Sequence, residues 1–498
     1  MENLSAFIKK NWIPIAKISI IVLAIFLRFY SYGDRWGLAY DQAHDAIVAR
    51  YALYHFKLPL LGPFSSAGAF VTGPQWYWFI MLGTLIFPWA ILTPWVVLTI
   101  VFVFFVYLMM KIAEEIGGNT FALIVGLISA VSTAEISQSI NLTNQAPLSV
   151  LSAIAIWSSL MSLKTKKNIY IFLLGLSTAL AINTHLQGML LVPFSLVFFI
   201  LNYKSVKSLA IWSIGFLIPF VPLIYFDFTH NFYNSKNMLQ YYLADQYKIS
   251  LDVLGRRWLT YAGVIWPRLI SEAIGGNIII GYLISIISSI VLAYAFIKKS
   301  IPKLILLILS SSLIAVIFIR YMRTPIFDSY IMFMHPWIFL IVGWVILFIS
   351  KKSVVLGLAL LAVVSLGSLY KNIPQIVNAK NYTASLADTW SKELVRKYPN
   401  NKFAVYDYKY VTKEKSLSLV LYLDRLKKID DNGIKVGLTI STPGAKFVFP
   451  PIIGKKGEYQ VFNLNSSNSS QLSKEGWFLL NPSLIYNSTE EWYIGKKL

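Results

Sequence analysis

Asp41 and Asp45 stand four residues apart in Tyr40-Asp41-Gln42-Ala43-His44-Asp45, so on the helix this stretch begins both project from one face. Two like charges so placed suit chemistry: one carboxylate takes the proton from an attacking hydroxyl while the other orients the acceptor or holds a cation. The alternative makes Asp41 a helix cap and Asp45 a partner of Arg50. The chain has no cysteine, which excludes a thiolate nucleophile, a disulfide and Cys-ligated zinc. Catalysis would fall to Asp, Glu, His, Arg, Lys or Tyr.

Ten arginines accompany the acids, among them Arg28, Arg35, Arg50, Arg256, Arg257, Arg268, Arg320 and Arg323. Their planar donor forks suit phosphate. Otherwise Arg35, Arg268 and Arg323 would pair with Asp34, Glu272 and Asp328, or reach to lipid headgroups. The five histidines are His44, His55, His185, His230 and His335, and they carry no zinc-site spacing.

The elements that must position these residues are membrane helices. Of the 498 residues 56% are hydrophobic and 13% charged, with a mean hydropathy of +0.61. The net charge of +21 fits topogenic loops and contacts with anionic membrane lipids rather than nucleic acid. Apolar stretches run at Ile15–Tyr32, Trp95–Ile112, Thr120–Ile136, Pro147–Leu163, Ile169–Asn183 and Met189–Leu201. Others follow at Leu209–Phe226, Ile278–Ile297, Leu304–Ile319, Tyr330–Ile349 and Val354–Tyr370.

Trp76 to Met110 reads either as two spans or as one span preceded by a surface helix, and lysines decide between them. With one span there, Lys164/Lys166/Lys167, Lys204/Lys207, Lys298/Lys299/Lys303 and Lys351/Lys352 all share a side with Lys9 and Lys10. The expectation is eleven spans, with Pro74 to Ile91 at the outer interface. The N-terminus would be a cytoplasmic signal anchor, and every arginine and histidine would lie outside or near an outer helix end. Residues 1–370 form the membrane domain. Residues 371–498 lose the apolar pattern and read as a small extracytoplasmic α/β domain, with helices at Ser385–Lys397 and Leu417–Lys428 and a strand at Phe403–Asp407. Asn141, Asn381, Asn465, Asn468 and Asn487 open glycosylation triplets.

In that order, Tyr40 to Ala46, Leu60-Leu61-Gly62-Pro63, Gly73-Pro74-Gln75-Trp76-Tyr77-Trp78, Ser137 to Pro147 and Thr184-His185-Leu186-Gln187-Gly188, with Arg320-Tyr321, Tyr330 and Pro336, resemble a known pattern. The chain is similar to the GT-C fold glycosyltransferases, specifically family 39, the protein O-mannosyltransferase and aminoarabinose-transferase group. The resemblance implies a GT-C-like membrane domain with interfacial helices in the first outer loop, Asp41 in the catalytic acidic position and outer arginines on a donor phosphate. Gln42 stands where the family usually has Glu, and Gln138 where Arg is common, which bears on metal dependence and on substrate.

On this reading a polyprenyl-phosphate sugar enters from the outer leaflet of the plasma membrane. Arg320, with Arg256, Arg257 or Arg28, grips its phosphate, and Asp41 deprotonates the hydroxyl of a lipid, glycan or protein acceptor, with inversion. His44, Asp45 and His185 position the acceptor, and Tyr77 and Tyr330 line the substrate site. Asp41 is also where a divalent cation, Mg2+ or Mn2+, would bind. The rival readings are a lipid-linked-sugar flippase, which would concentrate polar groups at the midplane, and a scaffold whose C-terminal domain binds a partner.

Overall fold

The computed structural model describes residues 2–35, 38, 40–65, 68–203, 205–245, 257–321, 328–378, 382–409, 413–440, 450–456 and 459–493. Among the described residues, seven helices are long and apolar enough to cross a membrane, fewer than the eleven spans drawn from hydropathy. The difference lies in three shorter apolar helices, Asn168–Thr184, Leu186–Asn202 and Lys303–Ile319, and in the helix Thr93–Ala130, which is two helices joined at a kink. Unbroken, its 38 residues would reach about 57 Å, nearly twice the hydrocarbon thickness. At Gly118 the backbone turns to φ 79°, where a side chain would be strained. Charged groups gather at that break: Lys17 reaches Glu114 at 2.6 Å and Asn119 at 2.8 Å, and Lys164 reaches Glu115 at 2.6 Å. A polar cluster beside a glycine break is the signature of a turn at the bundle surface.

The helix Gln75–Ile86 has 12 residues, about 18 Å, too short to span a bilayer. Pro88 and Pro94 lie beyond its end and remove the amides that would extend it to the next helix. It packs against the helix Tyr40–Tyr54, which carries Asp41.

The C-terminal residues build a five-stranded sheet, β1 (Phe403–Tyr408), β2 (Ile434–Ile440), β3 (Pro451–Lys456), β4 (Tyr459–Asn463) and β5 (Trp477–Leu480), in the order β3-β4-β2-β1-β5. β1 and β2 are parallel and joined through the helix Lys413–Arg425; the other pairs are antiparallel. The anticipated strand at Phe403 and both anticipated helices are present, the latter as Tyr382–Lys397 and Lys413–Arg425.

This sheet domain rests on the Asp41 helix. Ser418 donates to Leu38 O at 3.3 Å, Arg50 meets Asp424 at 3.5 Å, and Tyr51 packs on Tyr486 with ring centroids 5.1 Å apart. Arg50 also donates to Pro88 O at 3.1 Å, as Tyr54 does at 2.9 Å. Arg50 therefore ties three segments together, the Asp41 helix, the turn after the Gln75 helix and the sheet domain. Burial pushes the Asp424 carboxyl up, against the pull of Arg50. Arg50→Ala should destabilise the protein by about 1–3 kcal/mol, and Asp424→Asn by less, because only the first also releases Pro88. Thermal unfolding in detergent reads both, and equal losses would mean that the Pro88 bond contributes nothing.

A candidate active site at the end of the bundle

Four polar segments meet at the end of the bundle that carries the sheet domain, and hydrogen bonds close them into a ring. Gln42, on the Asp41 helix, donates to Asn141 Oδ1. From the same turn of chain, Asn144 donates to Thr184 O at 2.9 Å. The neighbouring Asn183 O accepts from Gly73 N at 2.9 Å. Trp76 Nε1 closes the ring on Asp45 Oδ2 at 2.8 Å. Gly73 leaves room for two side-chain amides, since a Cβ at that position would lie 2.1 Å from Asn183 Oδ1 and 2.2 Å from Gln75 Oε1 and would displace them.

The two carboxylates that sequence pairs on one face have separate surroundings. Asp45 is buried, with Oδ2 on Trp76 and Oδ1 3.0 Å from His44 Nδ1, and His44 stacks on Tyr40. Asp41 lies one turn earlier and is exposed, inside the first turn of the helix rather than capping it. Arg50, the alternative partner of Asp45, turns instead to Asp424. Tyr77 is buried beside Trp76.

His185 ends the helix Asn168–Thr184 and begins the turn Leu186–Leu191, its Nδ1 accepting from Gln187 N at 3.5 Å. Burial pushes its imidazole down to about 4, which keeps it neutral at physiological pH. Because the folded value lies below the unfolded one, the stabilisation is complete above pH ~6.5 and is lost as pH falls towards 4. His185→Gln should therefore flatten the drop in unfolding temperature between pH 7 and pH 4.5 measured in detergent. An unchanged drop would show that other groups set it.

Arg256 lies outside the described residues, as do the side chains of Arg257, Arg320 and Tyr330. Their backbones are placed where described: Tyr261, four residues after Arg257, donates its hydroxyl to Ile319 O at 3.1 Å, next to Arg320. The segment Asp328–Met334, which includes Tyr330, packs on the turn that carries Gln187. Arg28 is fully buried and spends its guanidinium on Ala130 O at 3.0 Å, Ala24 O and Ser129 O. Arg35 donates to Leu27 O at 2.8 Å, and Glu272 pairs with Lys371 at 2.6 Å.

Sequence reading misses Glu135, which sits inside an apolar run and is completely buried. Glu135 accepts from Ser149 at 2.9 Å and lies 2.6 Å from His335 Nδ1, joining three segments next to the ring. An acid in a hydrophobic run is itself a signal, since a buried charge demands partners. A divalent cation would find both oxygens of Asp45 already engaged and neutral Gln42 beside Asp41. Among the described residues no group of three His, Asp or Glu is placed to hold a metal ion, and no step below is routed through one.

Residues 71–226 match the model of the family described as dolichyl-phosphate-mannose-protein mannosyltransferase. Comparison with curated proteins returns no sequence match. ArnT from Cupriavidus metallidurans is similar in structure, both in the apo state and bound to undecaprenyl phosphate. Each comparison gives a TM-score of 0.62 and 11% identity over 89% of this chain and 97% of that one. The Archaeoglobus fulgidus oligosaccharyltransferase complexed with Zn and sulfate gives 0.50 and 11% identity over 81% of this chain and 61% of that one. Three of the four ring segments lie inside the matched stretch, and the fold is shared over 89% of the chain, which is therefore a multi-pass membrane protein with the GT-C fold seen in ArnT.

Proposed function

We propose that the chain transfers a sugar from a polyprenyl-phosphate donor to an acceptor hydroxyl at the outer face of the plasma membrane, with inversion. One observation carries this reading: of two acids one turn apart on the helix that supplies Gln42 to the ring, Asp45 is buried and Asp41 is exposed. Asp45 orients the helix, and Asp41 meets the acceptor. The acceptor oxygen attacks the anomeric carbon, its proton passes to the Asp41 carboxylate, and the bond from anomeric carbon to phosphate oxygen breaks. The polyprenyl phosphate leaves as an anion, stabilised by the arginines at the helix ends that carry Arg257 and Arg320. His44 and His185 position the acceptor. That ArnT has been solved with undecaprenyl phosphate supports the donor class.

The test is transfer from a panel of labelled polyprenyl-phosphate sugars in reconstituted membranes, with wild type and Asp41→Asn compared with and without EDTA. Transfer that needs Asp41 supports the proposal. No transfer from any donor would overturn it, and the EDTA arm reads the cation requirement.

A further inference from the structure

The ring contains buried carbonyl oxygens with no protein donor. They are Gln42 Oε1, Gln75 Oε1, Asn183 Oδ1 and Gln187 Oε1, together with the hydroxyl of Thr143. Asn183 is 1% exposed, Gln42 7% and Gln187 9%. Such orphaned acceptors are costly and call for a partner.

For Asn183, Gln75 and Gln42 the amide nitrogen is engaged on the other side of the group. Asn183 Nδ2 donates to Ala179 O at 2.9 Å, Gln75 Nε2 to Pro219 O at 2.5 Å, and Gln42 Nε2 to Asn141 Oδ1. Main-chain carbonyls only accept, so at Asn183 and Gln75 the nitrogen must face them and the oxygen must be the end left over. Those two oxygens lie side by side over Gly73. The ring thus presents a set of amide oxygens as acceptors with no protein donor beside them.

We infer that these carboxamides bind the hydroxyl groups of an uncharged sugar, an assignment that rests on the glycosyl-transfer reading and names its substrate class. Sugar hydroxyls supply donors without bringing a charge into a buried site. Phosphate and carboxylate groups supply only acceptors and are turned away. An ammonium would donate as well, but Asp45, the buried carboxylate of the ring, already has its oxygens engaged by Trp76 and His44 and is not available to offset its desolvation. The donor molecule is thereby oriented, with its sugar in the ring and its phosphate displaced towards the arginine-bearing helix ends.

The experiment measures binding of the full-length protein in nanodiscs to mannosyl polyprenyl phosphate, to an aminohexosyl analogue and to bare polyprenyl phosphate, by tryptophan fluorescence. Wild type should bind the mannosyl lipid more tightly than the bare lipid. Asn183→Leu and Gln187→Met should each lower that excess about tenfold and leave bare-lipid affinity unchanged. Asp41→Asn should keep the excess, so failure of transfer and failure of sugar binding are read separately. Asn183→Asp, which preserves shape, should move the preference towards the aminohexosyl lipid. An excess that survives Asn183→Leu and Gln187→Met, or a wild-type preference for the aminohexosyl lipid, would overturn the assignment.

Discussion

Asp41→Asn should reduce sugar transfer by about 10²–10⁴-fold, the usual contribution of a positioned base, while donor affinity changes little. Asparagine keeps the shape and one acceptor oxygen but cannot take a proton from the incoming hydroxyl. Asp41 is exposed at the first turn of its helix, so the substitution removes no core contact and folding should persist. Asp45→Asn should behave differently. Its oxygens bind Trp76 and His44, so the loss appears first in unfolding temperature and only secondarily in rate. Initial rates at saturating donor, at matched expression, separate the two. Equal rates for wild type and Asp41→Asn would remove Asp41 from the mechanism.

Glu135→Leu should destabilise the protein by about 3–5 kcal/mol, because it leaves buried charge unmatched. Arg28 and Glu135 are both wholly buried, and the Glu135 charge acts on the Arg28 guanidinium. Ser149 and His335 complete the cluster around the carboxylate. Removing the acid strands the arginine among main-chain carbonyls that accept from its two terminal nitrogens without neutralising it. Glu135→Gln retains an acceptor and should cost less. The pair Arg28→Met with Glu135→Leu should recover part of the loss, since two apolar side chains carry no unmatched charge. Thermal unfolding in detergent tests the series. A Glu135→Leu protein as stable as wild type would show that the cluster contributes no stability.

The membrane class, the helical segments and the C-terminal α/β pattern could be read from residue order because hydropathy and periodicity are local properties. That Gln75–Ile86 is not a span was legible because charge asymmetry at the loops left only one consistent arrangement, and a helix of 12 residues is too short to cross. Spacing alone offered two acids, and it was the resemblance, not the spacing, that put Asp41 in the catalytic position and left Asp45 to the acceptor. Their difference comes from Trp76, 31 residues from Asp45, and no spacing rule links them. Glu135 stayed hidden because its partner His335 is 200 residues away. The carboxamides were passed over because neutral amides gain meaning only when their donors are seen to be occupied. Arg50 was legible as a charge near Asp45 and misleading as its partner, since Asp424 reaches it from the sheet domain.

The sheet domain's hold on the Asp41 helix has a consequence for biosynthesis. The last described helix, Pro482–Tyr493, packs on the Asp41 helix, Tyr486 against Tyr51. Segments more than 400 residues apart in the order of synthesis are thus neighbours around the helix that carries Asp41. The bundle can insert span by span, yet the helix bearing Asp41 has its full set of neighbours only after nearly the whole chain has emerged. A chain interrupted in synthesis would carry every ring residue and still lack the support that fixes them. The proposed transfer would then report completed synthesis, and partial products in the membrane would stay silent.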